Sequence, residues 1–149
     1  IRGQEEVVYR VEACFPVAEG TEGGLFFGTS RIMAGQVGDE YFMTQGHFHQ
    51  KPDRGEFYWG IQGEGVLLLM DADRNTRAEK VFPGSLHYIH AYIGHRLVNT
   101  GNTELTVGAC WPSDAGHNYG EIREKGFSKG VFNRNGVPTL EDINKDRAL

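Results

Sequence analysis

Three histidines and one glutamate have the residue types and the spacing of a metal site. His47 and His49 are two residues apart, Glu56 follows within the next ten residues, and His95 comes much further along the chain. Side chains at positions i and i+2 of a β-strand share a face, so a strand would aim His47 and His49 at one point. Glu56 can then approach from a neighbouring strand. Three imidazoles and a carboxylate suit a divalent transition metal, with substrate or water at any remaining positions.

The segments that must position these side chains have the pattern of short β-strands. They are rich in aromatic and β-branched residues, and turn-forming residues lie between them. We predict strands at residues 7–15, 25–33, 41–49, 56–62, 65–70, 78–82, 87–89, 95–99 and 104–111. Strands at this spacing indicate an all-β sandwich or barrel. Residues 114–125 and 139–148 are the two stretches with the pattern of short peripheral helices.

Length, composition and charge restrict the classes of protein that the chain can belong to. Its 149 residues fit a single domain, which we place at 1–149, and its 39% apolar residues favour a folded globular protein. A net charge of −5 argues against a nucleic-acid partner. The longest apolar run, 66–70, has the length of a strand, so we expect no membrane segment.

The ends and the cysteines add two expectations. The chain begins at Ile1 without a methionine, so we expect an N-terminus that has been truncated or processed. Cys14 and Cys110 are the only cysteines, which favours a reducing compartment and therefore the cytoplasm. We interpret both as small apolar packing residues.

Two motifs give the chain a resemblance to the cupins, and further elements narrow it. The segment around His47, His49 and Glu56 resembles the first cupin motif, and Pro83-Gly84 with His95 and Asn99 resembles the second. The additional elements are Thr44-x-Gly46, Glu56-x-Tyr58, Tyr92-x-x-His95-Arg96, Pro112-x-Asp114-Ala115-Gly116-His117-x-Tyr119-Gly120 and Glu124-Lys125-Gly126-Phe127-Ser128-Lys129. Together, over residues 25–129, they resemble the cupin-type glucose-6-phosphate isomerases of archaea and some bacteria.

This resemblance implies a fold, a cofactor, a substrate and an assembly. The fold is the cupin double-stranded β-helix, a small jelly-roll barrel, here with short peripheral helices. The cofactor is one divalent transition metal per chain, which is Fe, Mn, Ni or Zn. The metal ligands are His47, His49, Glu56 and His95. The substrate-binding residues are Ser30, Thr44, Gly46, Tyr58, Tyr92, Trp111 and Tyr119. The substrate is a sugar phosphate of glycolysis and gluconeogenesis, and the assembly is a homodimer.

The implied reaction assigns chemistry to two residues. Moving a carbonyl between C1 and C2 of a sugar needs an electrophile to polarise the oxygen, which a metal supplies as a Lewis acid. By an enediol route, one group must also carry a proton between the two carbons. Glu56 is then a ligand, the base, or both at different stages, and His117 is a substrate contact or a proton shuttle. A metal-assisted hydride shift needs no base, and both routes stay open here.

Strand geometry creates one difficulty for this site. If His47 and His49 face inward on a regular strand, Thr44 and Gly46 face outward, although both are expected to contact the phosphate. A bulge or bend at Gly46 removes the conflict, and glycine is the residue that permits one. We therefore predict a break in the strand at Gly46.

Four further residues near the site motifs need an interpretation. Trp111 stands where the family has a tyrosine, and its indole keeps one N–H donor but offers no acceptor. Arg54 either pairs with the phosphate or is an exposed arginine of a loop. His87 and His90 are interpreted as surface residues or as neighbours of the ligand residues.

Two rival functions have to be weighed against the isomerase. A cupin metal-dependent dioxygenase can use the same three-histidine, one-glutamate set, but the hydroxyl groups of Tyr58, Tyr92 and Tyr119 suit a sugar better. The second rival is a non-enzymatic sugar-binding cupin with a structural metal. No DNA-binding or partner domain accompanies the barrel, which makes that reading the weaker of the two.

Overall fold

Antiparallel β-sheet makes up nearly all of the computed structural model, which describes residues 8–143. In chain order its elements are β1 (Tyr9–Cys14), β2 (Leu25–Ile32), β3 (Gln36–Val37), β4 (Glu40–Tyr41), β5 (Glu56–Gln62), β6 (Gly65–Met70), β7 (Thr76–Val81), β8 (Leu86–Ile89), β9 (Gly94–Asn99), β10 (Leu105–Pro112), α1 (Gly120–Lys125), β11 (Lys129–Arg134) and β12 (Val137–Asp142). The sequence predicted strands at the positions of β1, β2 and β5 to β10.

The strands form three sheets, and the five-stranded and three-stranded sheets contribute residues to the candidate site. A five-stranded sheet has the order β1-β2-β10-β5-β8, a three-stranded sheet has the order β7-β6-β9, and a four-stranded sheet has the order β12-β11-β4-β3. All of the pairings between these strands are antiparallel. Glu56 opens β5 in the first sheet and His95 lies on β9 in the second, so the two sheets bring their side chains to face each other.

The core has two layers that share strand β6. Leu67 and Leu69 pack into the barrel interior together with residues of the five-stranded sheet. Leu68 and Met70 point the other way and pack against α1 and β11. Because β6 is buried on both faces, it is a continuous apolar run rather than an alternating one.

Three parts of the fold differ from the sequence-based expectations. The predicted strand 41–49 is not continuous, because β4 ends at Tyr41 and only isolated bridges follow at Met43, His47 and Phe48. The predicted helix 139–148 is wrong over 139–142, which belong to strand β12. Its remainder from 144 onward lies outside the described residues. Of the predicted helix 114–125 only α1 forms, so the part of the chain described here has one six-residue helix.

The hairpin β11–β12 was missed although the sequence has a local signal for it, the Asn135-Gly136 dipeptide. Strand β12 pairs along its whole length with β11, and this dipeptide forms the two-residue turn between them. Both of its residues have the positive φ that a type I′ turn requires, 56° at Asn135 and 81° at Gly136.

The described residues also bear on the cysteines and on membranes. Cys14 and Cys110 are both free thiols, and Cys14 is exposed rather than packed. In the sheet they lie on either side of the same residue of β2, Phe27.

None of the helices within 8–143 is long and apolar enough to cross a membrane.

Candidate metal and substrate site

A bend at Gly46 sets the geometry of the site. Gly46 has a φ of 79°, and a Cβ atom there would lie 2.9 Å from the carbonyl oxygen of His95. Before the bend, Thr44 N–H donates to the Leu97 carbonyl and Thr44 Oγ1 accepts from Leu97 N–H. After it, His47 and His95 exchange backbone hydrogen bonds of 3.2 and 3.1 Å. The predicted break is confirmed, and Thr44, Gly46 and His47 consequently line one cavity.

Four side chains with metal-ligating atoms converge beside this cavity, and three of them, His47, Glu56 and His95, line it. One ligand atom each from His47, His49, Glu56 and His95 lies within 4.8 Å of the other three. Two of the imidazoles are oriented by backbone carbonyls. His49 Nδ1–H donates to the carbonyl of Arg54 at 2.8 Å, and His95 Nδ1–H donates to the carbonyl of Ile93 at 3.2 Å. These hydrogen bonds turn the Nε2 atoms inward, as in known histidine–metal sites.

Two buried nitrogens of this cluster are unsatisfied, which fits a bound cation. Within residues 8–143, His47 Nε2 and His95 Nε2 are the only buried side-chain nitrogen or oxygen atoms without a hydrogen-bond partner. His95 Nε2 lies 3.1 Å from Glu56 Oε1, but its direction makes no hydrogen bond. Burying a polar atom without a partner costs about 1–3 kcal/mol. A divalent cation coordinated by these two nitrogens and the Glu56 carboxylate would remove that cost.

The electrostatics of the cluster favour a neutral His47 and an ionised Glu56. Burial lowers the pKa of His47 strongly, and the neighbouring histidines lower it further. Burial raises the pKa of Glu56, but the hydrogen bond from His49 and the proximity of His95 outweigh it, so the net pKa lies below its ordinary value. Burial lowers the pKa of His49, but its hydrogen bond to Glu56, the charge of Glu56 and its hydrogen bond to the Arg54 backbone together outweigh burial and raise the pKa overall. Glu56 is therefore ionised at neutral pH.

The cluster lies in a cavity of about 630 Å³ that also collects most of the predicted substrate residues. The predicted residues that line it are Ser30, Thr44, Gly46, Tyr58, Trp111, His117 and Tyr119. Within the described chain none of the lining residues is a lysine or an arginine. Among residues 8–143, the groups of the lining that could donate to an anion are therefore hydroxyl groups, imidazoles, backbone N–H groups and the indole.

Tyr92, which the sequence predicts to bind the substrate, does not line the cavity. It lies in the turn between β8 and β9 with a φ of 65°, and its side chain is 58% exposed. Its backbone N–H donates to the carbonyl of Pro52 at 2.6 Å. The positive φ of this turn directs the ring towards solvent, so a tyrosine three residues from a ligand histidine is not brought to the site.

His117 lies beside the cluster but is not one of its four ligand atoms. Its ring centroid is 4.4 Å from that of His47, and Tyr119 stacks on it at 5.7 Å. Burial lowers the pKa of His117, with only partial compensation from Glu56, so the imidazole is neutral at neutral pH. A neutral imidazole beside the cavity can either donate or accept a proton.

Several residues of the cavity carry no recognisable signal in the sequence. Tyr9 on β1 accepts a hydrogen bond at 3.4 Å from Gln45 N–H, next to the bend. Glu19 adds a second carboxylate to the lining, which raises the pKa of His117 slightly. They reach the site because β1 and the loop after it close one side of the barrel. An alternating apolar pattern on β1 could have predicted a strand, but not this position.

Arg54 pairs with a protein carboxylate rather than pointing into the cavity. Its Nε and Nη2 atoms donate to Asp114 at 3.1 and 3.0 Å, and Nη1 lies 3.0 Å from Asp53. Neither Arg54 nor Asp114 lines the cavity. The interpretation of Arg54 as a phosphate ligand is therefore wrong for this structure.

His87 is buried in a network of its own, away from the cavity. Its Nδ1 lies 2.9 Å from Glu79 Oε1, and its Nε2 lies 2.8 Å from Ser85 Oγ, which also accepts from Phe82 N–H. The interpretation of His87 as a surface residue is wrong, because β8 turns it into the space between two sheets. His90, in contrast, is exposed and packs against Tyr88.

Solved structures share this barrel. An oxalate oxidase in complex with the substrate analogue glycolate aligns with a TM-score of 0.59 at 13% identity, over 77% of this chain and 56% of that one. A Bacillus subtilis oxalate decarboxylase aligns with a TM-score of 0.58 at 18% identity, over 76% of this chain and 28% of that one. At such identities the likeness concerns the fold alone. Fold and cluster together define a cupin with a candidate divalent-metal centre.

Sequence relatives identify the family within that class. The family model for glucose-6-phosphate isomerase matches residues 2–147, and the chain belongs to this isomerase family. The glucose-6-phosphate isomerase of Thermococcus kodakarensis is 46% identical over 139 residues, which are 93% of this chain and 72% of that protein. That of Thermococcus litoralis is 43% identical over 96% of this chain and 74% of the relative. A Sinorhizobium medicae enzyme of the same name is 39% identical over 82% of this chain and 56% of its own length.

Proposed function

We propose that this chain interconverts glucose 6-phosphate and fructose 6-phosphate in its cavity, as a step of glycolysis or gluconeogenesis. The observation that carries the proposal is the convergence of three imidazoles and one carboxylate in a cavity lined by hydroxyl groups. The hydroxyls suit a polyhydroxylated substrate, and the unsatisfied Nε2 atoms suit a metal. The isomerase names of its relatives supply the substrate.

The donor set supports one divalent metal per chain, held by His47, His49, Glu56 and His95. Bound there, the metal supplies a Lewis acid that polarises the carbonyl oxygen of the sugar. Three nitrogen donors and one oxygen donor are compatible with iron, manganese, nickel and zinc, so availability in the cell decides which is used.

Proton transfer falls to Glu56, which is buried and ionised. In the enediol route Glu56 takes the proton from one of the two reacting carbons and returns it to the other. His117, neutral and beside the cavity, exchanges the accompanying proton with a sugar oxygen. In the hydride-shift route the hydrogen never leaves the sugar, and Glu56 acts only as a ligand. Turnover in D₂O tests for the base: deuterium at C2 of the product, acquired when the proton on Glu56 exchanges with solvent before it is returned, supports the enediol route. The hydride shift predicts no deuterium at C2.

The phosphate is held by neutral donors. Ser30 and Thr44 present hydroxyl groups, Gly46 presents backbone, and Trp111 has an indole N–H in place of the tyrosine of the family. Tyr58 and Tyr119 are placed to contact the sugar. Charge repulsion from a net charge of −5 is opposed only by such local donors and by the bound cation, so we expect binding to depend on the metal.

A coupled assay tests the proposal directly. Fructose 6-phosphate is supplied to protein loaded with Mn²⁺, to protein treated with a chelator, and to the His117→Ala variant. We expect turnover by the loaded protein, loss with chelator, recovery on adding metal, and a reduced kcat for the variant. Metal-loaded protein with no turnover would refute the isomerase. Oxygen consumption in the same samples would favour the dioxygenase alternative, and sugar-phosphate binding without turnover would favour the sugar-binding cupin.

We also propose that the active form is a cytoplasmic homodimer. One face of the five-stranded sheet exposes large apolar side chains, which are 45–68% exposed in the single chain. They are Leu25, Phe27, Phe57, Leu86 and Tyr88. A contiguous apolar face of this kind marks an interaction site, and a twofold pairing would cover it in both copies at once. Sedimentation equilibrium checks this: Phe57→Glu should give monomers, and a wild-type monomer would refute the dimer.

A further inference from the structure

A bidentate ion pair outside the cavity joins two loops that each serve the candidate site. Arg54 Nε and Nη2 donate to the two carboxylate oxygens of Asp114 at 3.1 and 3.0 Å. The Asp114 side chain is only 6% exposed, and Lys51 Nζ approaches it at 3.4 Å. The Arg54 guanidinium holds the pKa of Asp114 at about 2, so the pair is fully charged at neutral pH.

At one end, the pair is next to the hydrogen bond that orients a ligand histidine. The backbone carbonyl of Arg54 accepts the Nδ1–H of His49 at 2.8 Å. This carbonyl determines which nitrogen of His49 carries the proton and therefore that Nε2 faces Glu56. The side chain of the same residue is held by Asp114, so the position of the carbonyl depends on the ion pair.

At the other end, the pair anchors the loop that carries His117. Asp114 lies three residues before His117, and Lys51 N–H donates to the carbonyl of Ala115 at 2.8 Å. Gly116 has a φ of 63° and packs so closely on Gln50 that a Cβ atom would lie 2.6 Å from it. The loop is thereby set against 50–54, and the ring of His117 is placed over His47.

We propose that Arg54 and Asp114 are positioning residues that hold His49 and His117 in register with each other. One ion pair sets both the acceptor for His49 Nδ1–H and the anchor of the His117 loop, so breaking it loosens both histidines together. The bidentate geometry requires the planar fork of arginine, which the single ammonium of lysine does not reproduce. The part that concerns His117 rests on the proposed isomerase function, whereas the part that concerns His49 is tested through metal binding alone.

The test compares Arg54→Lys and Asp114→Asn with a matched control. Arg134 also makes a bidentate pair, with Glu141 at 2.6 and 2.8 Å, but it lies on strand β11 in the four-stranded sheet. Metal affinity is measured by competition with a chromogenic chelator, and the ligand field by the visible spectrum of Co²⁺-loaded protein. We expect about 10–100-fold weaker metal binding or lower kcat in both site variants, with a smaller change in KM, and no change in Arg134→Lys.

The double variant Arg54→Lys/Asp114→Asn sharpens the result. Because both residues act through one interaction, the double variant should lose no more than either single variant. A fall in thermal stability with unchanged metal affinity, spectrum and kcat in both single variants would overturn the proposal, because the pair would then be merely structural. If the metal-loaded wild-type protein does not turn over fructose 6-phosphate, the isomerase is refuted. Altered metal affinity and an altered Co²⁺ spectrum in the two variants would still uphold the positioning of His49. If one variant does not fold, the other gives the same test.

Discussion

Two contacts between a buried histidine and a glutamate lie in the same barrel, and they have different surroundings. In the metal-type cluster, His49 and His95 approach Glu56 at 2.9 and 3.1 Å, and the cluster opens to a cavity. In the second network, His87 approaches Glu79 at 2.9 Å, and none of the described residues of that network lines the cavity. The distances are nearly the same, so distance alone does not distinguish a site from a structural contact.

The two contacts differ in whether their polar atoms all have hydrogen-bond partners. The His87 network closes on itself: Phe82 N–H donates to Ser85 Oγ, Ser85 O–H can donate to His87 Nε2, and His87 Nδ1–H can donate to Glu79. In the metal-type cluster two Nε2 atoms remain without partners. Satisfied buried polar groups stabilise a fold, whereas convergent unsatisfied ones are expected where a ligand belongs.

The largest expected effect comes from exchanging each glutamate for glutamine. Glu56→Gln removes a ligand charge and the candidate base, so kcat should fall by at least about 100-fold. Glu79→Gln keeps the size of a side chain that the mechanism does not use, so kcat should remain unchanged. The coupled assay measures both, with metal content determined for each sample. Equal losses of kcat in the two variants would erase the functional distinction between the networks.

A smaller effect is expected from two substitutions that cost similar unfolding free energy but differ in their effect on metal binding. Gly46→Ala forces an alanine into a φ of 79° and places its Cβ 2.8 Å from the Phe127 ring, which should cost about 1–3 kcal/mol of unfolding free energy. Ser85→Ala leaves His87 Nε2 and Phe82 N–H without their partner, which should also cost about 1–3 kcal/mol. Because the bend places His47, only Gly46→Ala should weaken metal binding.

Urea unfolding and chelator competition measure this pair of variants side by side. The comparison fails if Ser85→Ala weakens metal binding as much as Gly46→Ala does. It also fails if Gly46→Ala loses stability while its metal affinity stays at the wild-type value.

The smallest expected effect is a pH dependence confined to the second network. Burial raises the pKa of Glu79, but hydrogen bonds from Arg77 and His87 outweigh it and lower the net value below the ordinary 4.5. A carboxyl with a lowered pKa in the folded state stabilises the fold above its ordinary pKa and loses that contribution as the pH falls through the lowered value. The Tm difference between wild type and Glu79→Gln should thus be full above pH 4.5 and shrink below it. A difference that does not vary with pH in thermal melts would contradict the assigned shift.

Local patterns in the sequence were sufficient for much of the fold. Strands β5 and β6 have the predicted bounds, because their runs of apolar and aromatic residues and the intervening Gly63 define both ends. The bend at Gly46 was predictable, because alternation along one strand put Thr44 and His47 on opposite faces. The hairpin β11–β12 was missed, although its two-residue Asn135-Gly136 turn, with φ of 56° and 81°, is a local signal for a hairpin.

The candidate site divides in the same way. The grouping of His47, His49, Glu56 and His95 was available from spacing and motif, since i and i+2 neighbours on an extended chain share a face wherever the strand lies. The amino-acid sequence by itself thus determined the cupin barrel, the donor set and the membership of the family. The roles of His47, His49, Glu56 and His95 in metal binding and catalysis remain predictions.

Only the tertiary structure decided which distant segments meet. It brought Tyr9 and Glu19 to the cavity, turned Tyr92 away from it, and matched Arg54 with Asp114 across sixty residues of chain. It also separated two histidine–glutamate contacts that look alike in sequence, giving His87 a closed network and leaving His47 and His95 with free nitrogens. The physical reason is that loop paths and barrel closure depend on long-range packing, and hydrogen-bond satisfaction can be counted only once those partners are in place.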